Sequence, residues 1–362
     1  MSNRKKKVLF GAVDVGWRIE LYTKFIKKNL SDKLEPHSVV YYKLQNKQYE
    51  TSYDYEYSLI NKNIFVNWII RLYFFTQALF KYDIFYFISG ETLLTRNLRR
   101  FELIIYKLLK KKIYFHFVGS DIRDPEYIDW KSENIISFLE GNDKKEKSKK
   151  WQMKLILDAE KFANNIFVST PDLLSVVNNA EYIPVFIDID KFNSDLEKVY
   201  TVNKKKDIIY ILHAPSNRRL KGSKYIEETL KKIKKENNFN IELLLPQNNG
   251  ESTYSTSRYK LFEYYKKADI VIDQMIIGWY GLQAIEALLT ENIVISYIDT
   301  NLKKHLFDDC PIMIADVTNL EKFIAESIKQ VKQKKWDFET QKKWVRKYHT
   351  IDSNKEFINK LP

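Results

Sequence analysis

Two short stretches of this 362-residue chain carry the residue types that hold phosphate groups. The first is an apolar run that ends at His213 and leads through a turn to the cations Arg218, Arg219 and Lys221, and then to Gly222. A helix-like segment follows, and a helix N-terminus with cations beside it favours an anionic ligand. Guanidinium forks and the point charge of an ammonium both suit phosphate oxygens. The sequence therefore predicts a diphosphate site, with a solvated basic turn as the alternative.

The second stretch, DIVIDQMIIGWYGLQAIEALL, has the pattern of a strand, a loop containing Gly281, and a helix that carries Glu286. Glu286 comes four residues after Leu282 and three before Leu289, so it lies beside the apolar stripe of this helix. A carboxylate in that position needs a partner, because burying it unpaired is costly. Glu286 is thus a candidate ligand contact, and a structural or exposed carboxylate is the alternative.

Strand-like and helix-like segments alternate along the chain in two series, separated by the polar, basic stretch 201–206. Such alternation predicts parallel sheets. The two series predict an α/β protein of two doubly wound, Rossmann-like domains that face a cleft, residues 1–200 and 201–344. Within the first series, one long helix is expected at 92–110.

Two residues of the first series lie at the carboxyl ends of predicted strands, where sheets of this kind bind ligands. Gly16 follows the first strand in a glycine-bearing turn, and His116 lies at the end of a later strand. His116 is a candidate active-site residue, with a hydrogen-bonded histidine inside the strand as the alternative. The spacing of Gly11 and Gly16 is not a dinucleotide fingerprint, so NAD binding is not predicted. Asp14 in the same turn is a candidate cap for the following helix.

The composition constrains partners and compartment. The net charge of +13 indicates an anionic partner, which could be nucleic acid, a phosphorylated ligand or membrane headgroups. Of these three, a nucleic-acid partner is not predicted. The single cysteine, Cys310, excludes an internal disulfide and a cysteine zinc cluster, which fits a reducing cytoplasm. No export signal precedes Asp14. We therefore expect a cytoplasmic protein, or one peripheral on the inner face of the cell membrane.

The aromatic-rich segment 64–80 allows two interpretations. Its apolar residues follow helical spacing, which usually indicates core: Phe65, Trp68, Ile69, Leu72, Phe75 and Leu79. Basic residues crowd the neighbourhood, however, and aromatic and basic residues together suit an anionic membrane face: Arg71, Lys81, Arg96, Arg99, Arg100, Lys107 and Lys110 to Lys112. The segment falls short of the ~20 apolar residues that a spanning helix needs.

The two phosphate-binding stretches, read as HAPSNRRLKG and DIVIDQ…GWYGLQAIEALL, resemble the C-terminal domain of GT-B glycosyltransferases of family 4. Upstream, HFVGSDIR, IFVSTPDLL and IPVFIDIDKF are similar to the N-terminal half of the same family. The resemblance implies the GT-B fold and transfer of a sugar from a nucleotide donor, with retention of anomeric configuration and without a bound metal. It also implies that the last stretch, 345–362, is a helix that packs back onto the N-terminal domain.

The resemblance assigns roles to individual residues in the C-terminal half. Arg218 or Arg219, together with Lys221, would hold the donor diphosphate. Gly281 would let backbone amides approach phosphate, and Glu286 matches the second acid of the family's Glu-x7-Glu motif, which contacts the ribose. The first acid of that motif is absent, because Gly278 occupies its position.

In the N-terminal half, Gly16 matches the family's glycine turn and would contribute to donor binding, and His116 would lie near the reacting sugar. The Asp188–Ile189–Asp190 sequence is a D-x-D that binds metal in a different glycosyltransferase fold. It follows Pro184 in the passage to the linker, so we treat it as a chance match and expect no metal and no cofactor.

The function expected from these residues is retaining transfer of a sugar from a nucleotide sugar to a cell-surface glycan or lipid-linked acceptor. Two alternatives stay open. A non-catalytic, glycosyltransferase-like partner subunit is consistent with Gly278. A GT-B sugar-nucleotide epimerase would also use a diphosphate site, but it should supply a pair of carboxylates for hydrolysis and proton transfer.

Overall fold

The computed structural model describes residues 4–41, 52–57, 59, 63–123, 146–200, 203–236, 239–246, 258–353 and 360. Among these, the chain divides into two compact units that meet at Pro184 and Val185. The sequence placed this boundary at 200, but residues 185–200 group with the second unit. Phe192 accounts for this, because its ring lies 5.1 Å from that of Phe262 in the core of the second unit.

The first unit is built around a sheet of seven parallel strands in the order β3-β2-β1-β4-β5-β6-β7. Its described elements are β1 (Lys6–Ala12), α1 (Arg18–Asn29), β2 (Leu34–Val40), β3 (Tyr55–Glu56), α2 (Ile64–Lys81), β4 (Ile84–Ile88), α3 (Arg99–Leu108), β5 (Lys112–Phe117), α4 (Glu146–Phe162), β6 (Asn165–Val168), a 3-10 turn (Pro171–Ser175) and β7 (Ala180–Tyr182). The strand order reverses between β1 and β4, which makes this the doubly wound arrangement that the alternation predicted.

The core of the first unit is largely aromatic. The central strands β4 and β5 are apolar at nearly every position, as expected for parallel strands with both faces covered. On one face, Tyr106 of α3 stacks on Phe85 at 4.0 Å and packs edge-on against Phe75 of α2 at 5.8 Å. These contacts place α2 and α3 side by side on the same face of the sheet.

Helix α3 begins at Arg99, seven residues later than the 92–110 pattern predicts. The cause is a pair of buried side chains that hold the preceding loop. The Glu102 carboxylate accepts hydrogen bonds from the amides of Leu93 and Leu94, and the Arg71 guanidinium donates to the carbonyls of the same two residues. The backbone groups that a longer helix would pair internally are therefore bonded to side chains.

The second unit contains a parallel five-stranded sheet in the order β12-β11-β10-β8-β9. Its described elements are α5 (Ile189–Glu197), β8 (Ile209–Leu212), α6 (Ser223–Glu236), β9 (Ile241–Leu244), α7 (Arg258–Lys267), β10 (Ile270–Ile272), α8 (Leu282–Leu289), β11 (Ile293–Ser296), a 3-10 turn (Thr300–His305), β12 (Met313–Ile314), α9 (Leu320–Gln333) and α10 (Phe338–Tyr348). Buried isoleucines on β8, β10 and β11 fill the core beneath α6 and α9. This unit is also doubly wound, so the predicted α/β class with two Rossmann-like domains is confirmed.

The C-terminal stretch differs from the expected helix 345–362. Helix α10 ends at Tyr348, and residues 338–353 belong to the second unit, where the Gln341 amide donates to the Leu288 carbonyl at 2.8 Å. Residues 354–359 and 361–362 lie outside the described residues. Packing of this stretch onto the first unit stays a prediction.

Replacing Arg71 with Met should lower the free energy of unfolding by about 1–3 kcal/mol, because the buried carbonyls of Leu93 and Leu94 lose a donor. Arg100→Met is the matched control: Arg100 is exposed on α3, and such surface changes stay within about 0.5 kcal/mol. Urea unfolding followed by circular dichroism measures both variants. Equal unfolding midpoints for the two would contradict a structural role for Arg71.

Candidate phosphate-binding site

The second unit has a topological switch point between β8 and β10, which are neighbours in the sheet although β9 separates them in sequence. In open parallel sheets, ligands bind outside the carboxyl ends of the strands at such a point. The two loops that leave β8 and β10 are residues 213–222 and 273–281. These are the two stretches whose residues predict a phosphate site.

The loop after β8 is a compact turn built around Asn217. The Asn217 side chain accepts hydrogen bonds from the amides of Arg219 and Leu220, and the backbone carbonyl of Asn217 accepts one from the amide of Lys221. Gly222 follows with φ of 72°, in the left-handed region that favours glycine, and a Cβ there would lie 3.1 Å from Met275 Cβ. Gly222 therefore permits the close approach of the two loops.

The three cations of this turn have different environments. Arg218 is exposed and pairs with Glu227 of α6, and Arg219 is also exposed. Lys221 is mostly buried, with its Nζ 2.7 Å from an Asp273 carboxylate oxygen at the end of β10. The structure thus places Lys221 against the second loop.

Asp273 joins the two loops, and sequence reasoning missed it. Its carboxylate is fully buried: Oδ1 accepts from Lys221 Nζ, and Oδ2 accepts from the Gly281 amide at 2.9 Å. Gly281 is the residue before α8, so a carboxylate oxygen lies at the N-terminus of this helix, where negative charge is favoured. The signal in the sequence is an acid directly after the buried strand, eight residues before a predicted loop glycine.

Gln274 organises the rest of the second loop. Its Oε1 accepts from the amides of Ile276 and Ile277, at 2.9 and 2.6 Å, and its Nε2 donates to the carbonyls of Trp279 and Tyr297. One buried amide thus satisfies four backbone groups in a segment without regular secondary structure.

Gly278, which stands where the resemblance expects an acid, has φ of 80°. This left-handed backbone strains any residue with a Cβ. The Gly278 carbonyl also accepts from the Asp299 amide at 3.0 Å. The path of this loop therefore favours glycine at position 278.

His213 is buried next to the site, and its neutral ring bonds to both loops' flanking elements. A carbonyl can only accept, so Nδ1–H donates to the Ile272 carbonyl at 2.9 Å, and Nε2 accepts from the Ser223 hydroxyl at 2.7 Å. Burial lowers the pKa of His213 to about 4. The ring thereby links β8, β10 and the start of α6.

Glu286 lies on α8, buried and enclosed by side chains of α7. One carboxylate oxygen pairs with the Arg258 guanidinium, and the other accepts from the Tyr265 hydroxyl at 3.0 Å. Arg258 in turn lies over the Phe262 ring, 4.4 Å from its centroid. Glu286 therefore joins two helices of the unit, and its predicted contact with ribose stays a prediction.

The two remaining candidates, Gly16 and His116, belong to the first unit. Gly16 has φ of 66° in the turn between β1 and α1, and Asp14 in the same turn caps the helix by accepting from the Ile19 amide. His116 is fully buried on β5: its Nε2 lies 2.9 Å from the Ser169 hydroxyl, and its Nδ1 lies 3.0 Å from the hydroxyl of Tyr86.

Burial and the nearby charge of Arg18 hold the pKa of His116 well below its usual value. Its ring is neutral and hydrogen-bonded at both nitrogens. These contacts correspond to the structural alternative for His116, and its catalytic role stays a prediction.

The described residues contain no cluster of three or more His, Cys, Asp or Glu side chains that could hold a metal ion. Asp188, from the D-x-D sequence, is the N-cap of α5 and accepts from the Lys191 amide at 3.0 Å. This side chain thus has a structural role of the kind common at helix starts.

The described residues form two doubly wound units in one chain, and each has a topological switch point of the kind at which open parallel sheets bind ligands. No protein-family model matches the chain, and no curated protein matches it. Solved structures do. The sucrose-phosphate synthase of Thermosynechococcus elongatus superposes with a TM-score of 0.62 at 13% identity, covering 99% of this chain and 98% of that one.

Two further structures match over nearly their whole length. Anabaena Alr3699/HepE in complex with UDP and glucose gives a TM-score of 0.60 at 12% identity, covering 99% of both chains. The catalytic domain of starch synthase IV from Arabidopsis thaliana, bound to ADP and acarbose, gives 0.54 at 13% identity, covering 98% of this chain and 97% of that one. At such low identities these similarities show the fold. The chain has the GT-B fold, as the resemblance implied.

Removing one member of the Lys221–Asp273 pair should be more harmful than removing both. Asp273→Asn should lower the free energy of unfolding by about 3–5 kcal/mol, because the ammonium loses its partner in a largely buried position. The double variant Lys221→Met with Asp273→Asn should recover most of this loss. Arg218→Met, which breaks an exposed pair, is the control and should cost about 0–1 kcal/mol. Additive losses in urea unfolding would contradict the coupling.

The buried neutral histidines predict a pH dependence of stability. The pKa of His213 is about 4 in the folded state, against 6.5 for a freely exposed histidine, so the unfolded chain binds more protons between these values. The free energy of unfolding should therefore fall as pH drops from 6.5 to 4, by up to roughly 3 kcal/mol for this residue. His213→Gln should remove that part of the slope.

The measurement is the difference in slope between wild type and His213→Gln in urea unfolding at several pH values. A difference is needed because burial raises the pKa of Asp14 to about 6, and a raised acid contributes with the opposite sign in the same window. His305→Gln, at a half-buried surface position, is the comparison: partial burial and the charge of Lys304 lower the pKa of His305 as well, so its part of the slope has the same sign and should be smaller. Identical slopes for all three proteins would contradict the prediction.

Proposed function

We propose that the chain is a metal-independent glycosyltransferase that transfers a sugar from a nucleotide-sugar donor with retention of anomeric configuration. The observation that carries this proposal is the Lys221 ammonium beside the N-terminus of α8, at the switch point of the second unit of a GT-B chain. The structures of HepE with UDP and glucose and of starch synthase IV with ADP support a donor of this class.

Lys221 would bind the donor diphosphate without releasing Asp273. A lysine ammonium has three N–H donors, and the bond to Asp273 uses one of them. The other two suffice for two phosphate oxygens. Asp273 would then act as a positioning residue that keeps the ammonium near α8, while the exposed Arg218 and Arg219 would supply further charge from the same turn.

The same groups would assist the chemical step. Loss of the nucleoside diphosphate from the anomeric carbon builds negative charge on the leaving phosphate. Preorganised cations and helix amides stabilise such charge without the cost of reorganising solvent. Lys221 and the N-termini of α6 and α8 would do this in place of a metal ion. The acceptor would attack the anomeric carbon from the same face from which the leaving group departs. This accounts for retention of configuration without a covalent carboxylate nucleophile.

We also propose that the acceptor is a cell-surface glycan or a lipid-linked glycan. Gly16 of the first unit would contribute to donor binding, and His116 would lie near the reacting sugar. A lipid-linked acceptor would require the chain to reach the inner face of a membrane. The second candidate function is that of a non-catalytic partner subunit. It is favoured by the left-handed backbone at Gly278, which disfavours an acidic residue at the position of the motif's first acid.

Titration calorimetry with UDP, ADP and GDP tests the donor site. Lys221→Ala should weaken nucleoside diphosphate binding by at least tenfold, the value of one lost charge-assisted contact. Lys231→Ala is the control, since Lys231 is exposed on α6 eight residues after the helix begins. The double variant Lys221→Met with Asp273→Asn separates lost binding from lost folding, because it leaves no unpaired buried charge.

Glu286→Gln tests the ribose contact in the same assay. Weaker binding at an unchanged melting temperature would support that contact. A lower melting temperature with normal binding would assign Glu286 to the Arg258 pair alone.

Release of nucleoside diphosphate from nucleotide sugars, with and without an acceptor extract, separates the functions. Acceptor-dependent release that survives EDTA is expected. Release that needs manganese would contradict metal independence. Binding without any release would favour the partner subunit.

A further inference from the structure

Helix α2 is apolar on two opposite faces. Its inner face packs into the first unit through Arg71, Phe74, Phe75 and Ala78. Its outer face carries large apolar side chains that the described part of the chain leaves uncovered, with Phe65 69% exposed and Phe80 88% exposed: Ile64, Phe65, Val66, Trp68, Ile69, Leu72, Tyr73 and Phe80. The core interpretation of the helical spacing is therefore wrong for Phe65, Trp68, Ile69 and Leu72. It is correct for Phe75, and for Leu79, which is partly buried against the core.

Helix α3 continues this apolar surface. It lies beside α2, because Phe75 and Tyr106 are in ring contact beneath the two helices. Its outward residues Phe101, Ile104 and Leu108 are exposed, Leu108 to 75%. A surface of this size on two adjacent helices exceeds the scattered apolar residues that monomeric proteins usually expose.

The exposed charges of these two helices all have one sign. Helix α2 contains no Asp or Glu, and the one acid of α3, Glu102, is buried against Leu93 and Leu94. Four cations are exposed on α3 and directly after it: Arg100, Lys107, Lys110 and Lys112. Their aliphatic stems can lie along an apolar surface while the charged ends reach outward.

Four of the other basic residues of this region have different roles. Arg71 and Arg99 are buried, the latter paired with Asp158. Lys81 donates to the Tyr55 hydroxyl, and Lys111 donates to the Tyr82 carbonyl. The electrostatic part of any docking therefore depends chiefly on the four exposed cations of α3 and its C-terminal end.

We propose that the outer faces of α2 and α3 form a docking surface for an anionic lipid bilayer, on which both helices lie in the interface plane. An apolar face flanked by cations is what such a surface binds, through buried apolar area and attraction to anionic headgroups. No described helix is long and apolar enough to cross a membrane, so the helices dock on the bilayer and do not span it.

The charge pattern favours a bilayer over a second copy of the chain. In a two-fold dimer through this surface, the same patch would face itself. The exposed cations of both copies would then meet, and neither helix offers an exposed carboxylate to pair with them. Anionic headgroups supply the missing charge. The proposal uses no residue of the Lys221 site and does not depend on transfer activity.

Co-sedimentation with vesicles tests the proposal on the full chain. Vesicles of 30% phosphatidylglycerol in phosphatidylcholine should bind the protein at low salt, and pure phosphatidylcholine should bind it far more weakly. Raising the salt should weaken the anionic binding, since screening shortens the reach of exposed charges. Equal partitioning to both vesicle types, or none to either at low salt, would overturn the proposal.

Two charge variants distinguish a local surface from general basicity. The triple variant K107Q/K110Q/K112Q should lower the partition constant by on the order of 100-fold, at about fivefold for each cation. K231Q/K234Q/K235Q removes the same charge from exposed positions of α6 in the second unit. It should change the constant by less than about tenfold. Equal losses in the two variants would show attraction to net charge alone and overturn the proposal.

The apolar contribution is tested with F65Q/L72Q/F80Q, all at exposed positions. This variant should bind anionic vesicles at least tenfold more weakly at both low and high salt, with an unchanged melting temperature. Light scattering of wild type and variant identifies the competing occupant. A wild-type dimer that the variant converts to a monomer, together with unchanged vesicle binding, would assign the surface to a second copy and overturn the proposal.

Discussion

The ion pair between Lys221 and Asp273 is the interaction on which the candidate site depends. The two residues are 52 positions apart and join the loops that leave β8 and β10. Because a buried carboxylate without partners is costly, the loops must keep both the ammonium and the Gly281 amide close to Asp273. A requirement of protein stability thereby holds a cation at the start of α8, where a phosphate ligand would need it.

Helix α8 is anchored along its whole length by polar contacts. Asp273 holds its N-terminus, the buried Glu286 connects its centre to Arg258 and Tyr265 of α7, and Gln341 of α10 donates to the Leu288 carbonyl at its C-terminal end. Each contact joins α8 to a different element of the second unit. A helix held in this way presents its first amides in a fixed direction, which is the preorganisation that anion binding requires.

In the first unit, charged side chains of α2 and α3 are buried while large apolar side chains of the same helices are exposed. Arg71 and Glu102 face inward, where they satisfy the backbone of a buried loop, while phenylalanine and leucine side chains face outward. The inward charges are tolerated because each forms several hydrogen bonds. The outward apolar residues reduce solubility without contributing to the core, so their presence is better explained by an interaction surface than by folding.

The sequence by itself determined the fold class and the two loops that form the candidate site. Alternating apolar strands and amphipathic helices require parallel sheets, and the glycines and cations after β8 and β10 mark the loops at their carboxyl ends. These features are local, since they depend on the order of neighbouring residues. The α/β class and the two loops that carry Lys221 and Gly281 could therefore be predicted, and the resemblance of these loops to GT-B glycosyltransferases added the GT-B fold.

Only the tertiary structure decided which charges are paired and which apolar faces are covered. Asp273 and Lys221 meet across two strands, and the partners of Glu286 come from a helix that precedes it by more than 20 residues. Helical spacing places Phe65 and Phe75 of α2 on apolar faces, but it does not say which face packs on the sheet. Both questions depend on contacts between distant segments, which local patterns in a chain do not encode.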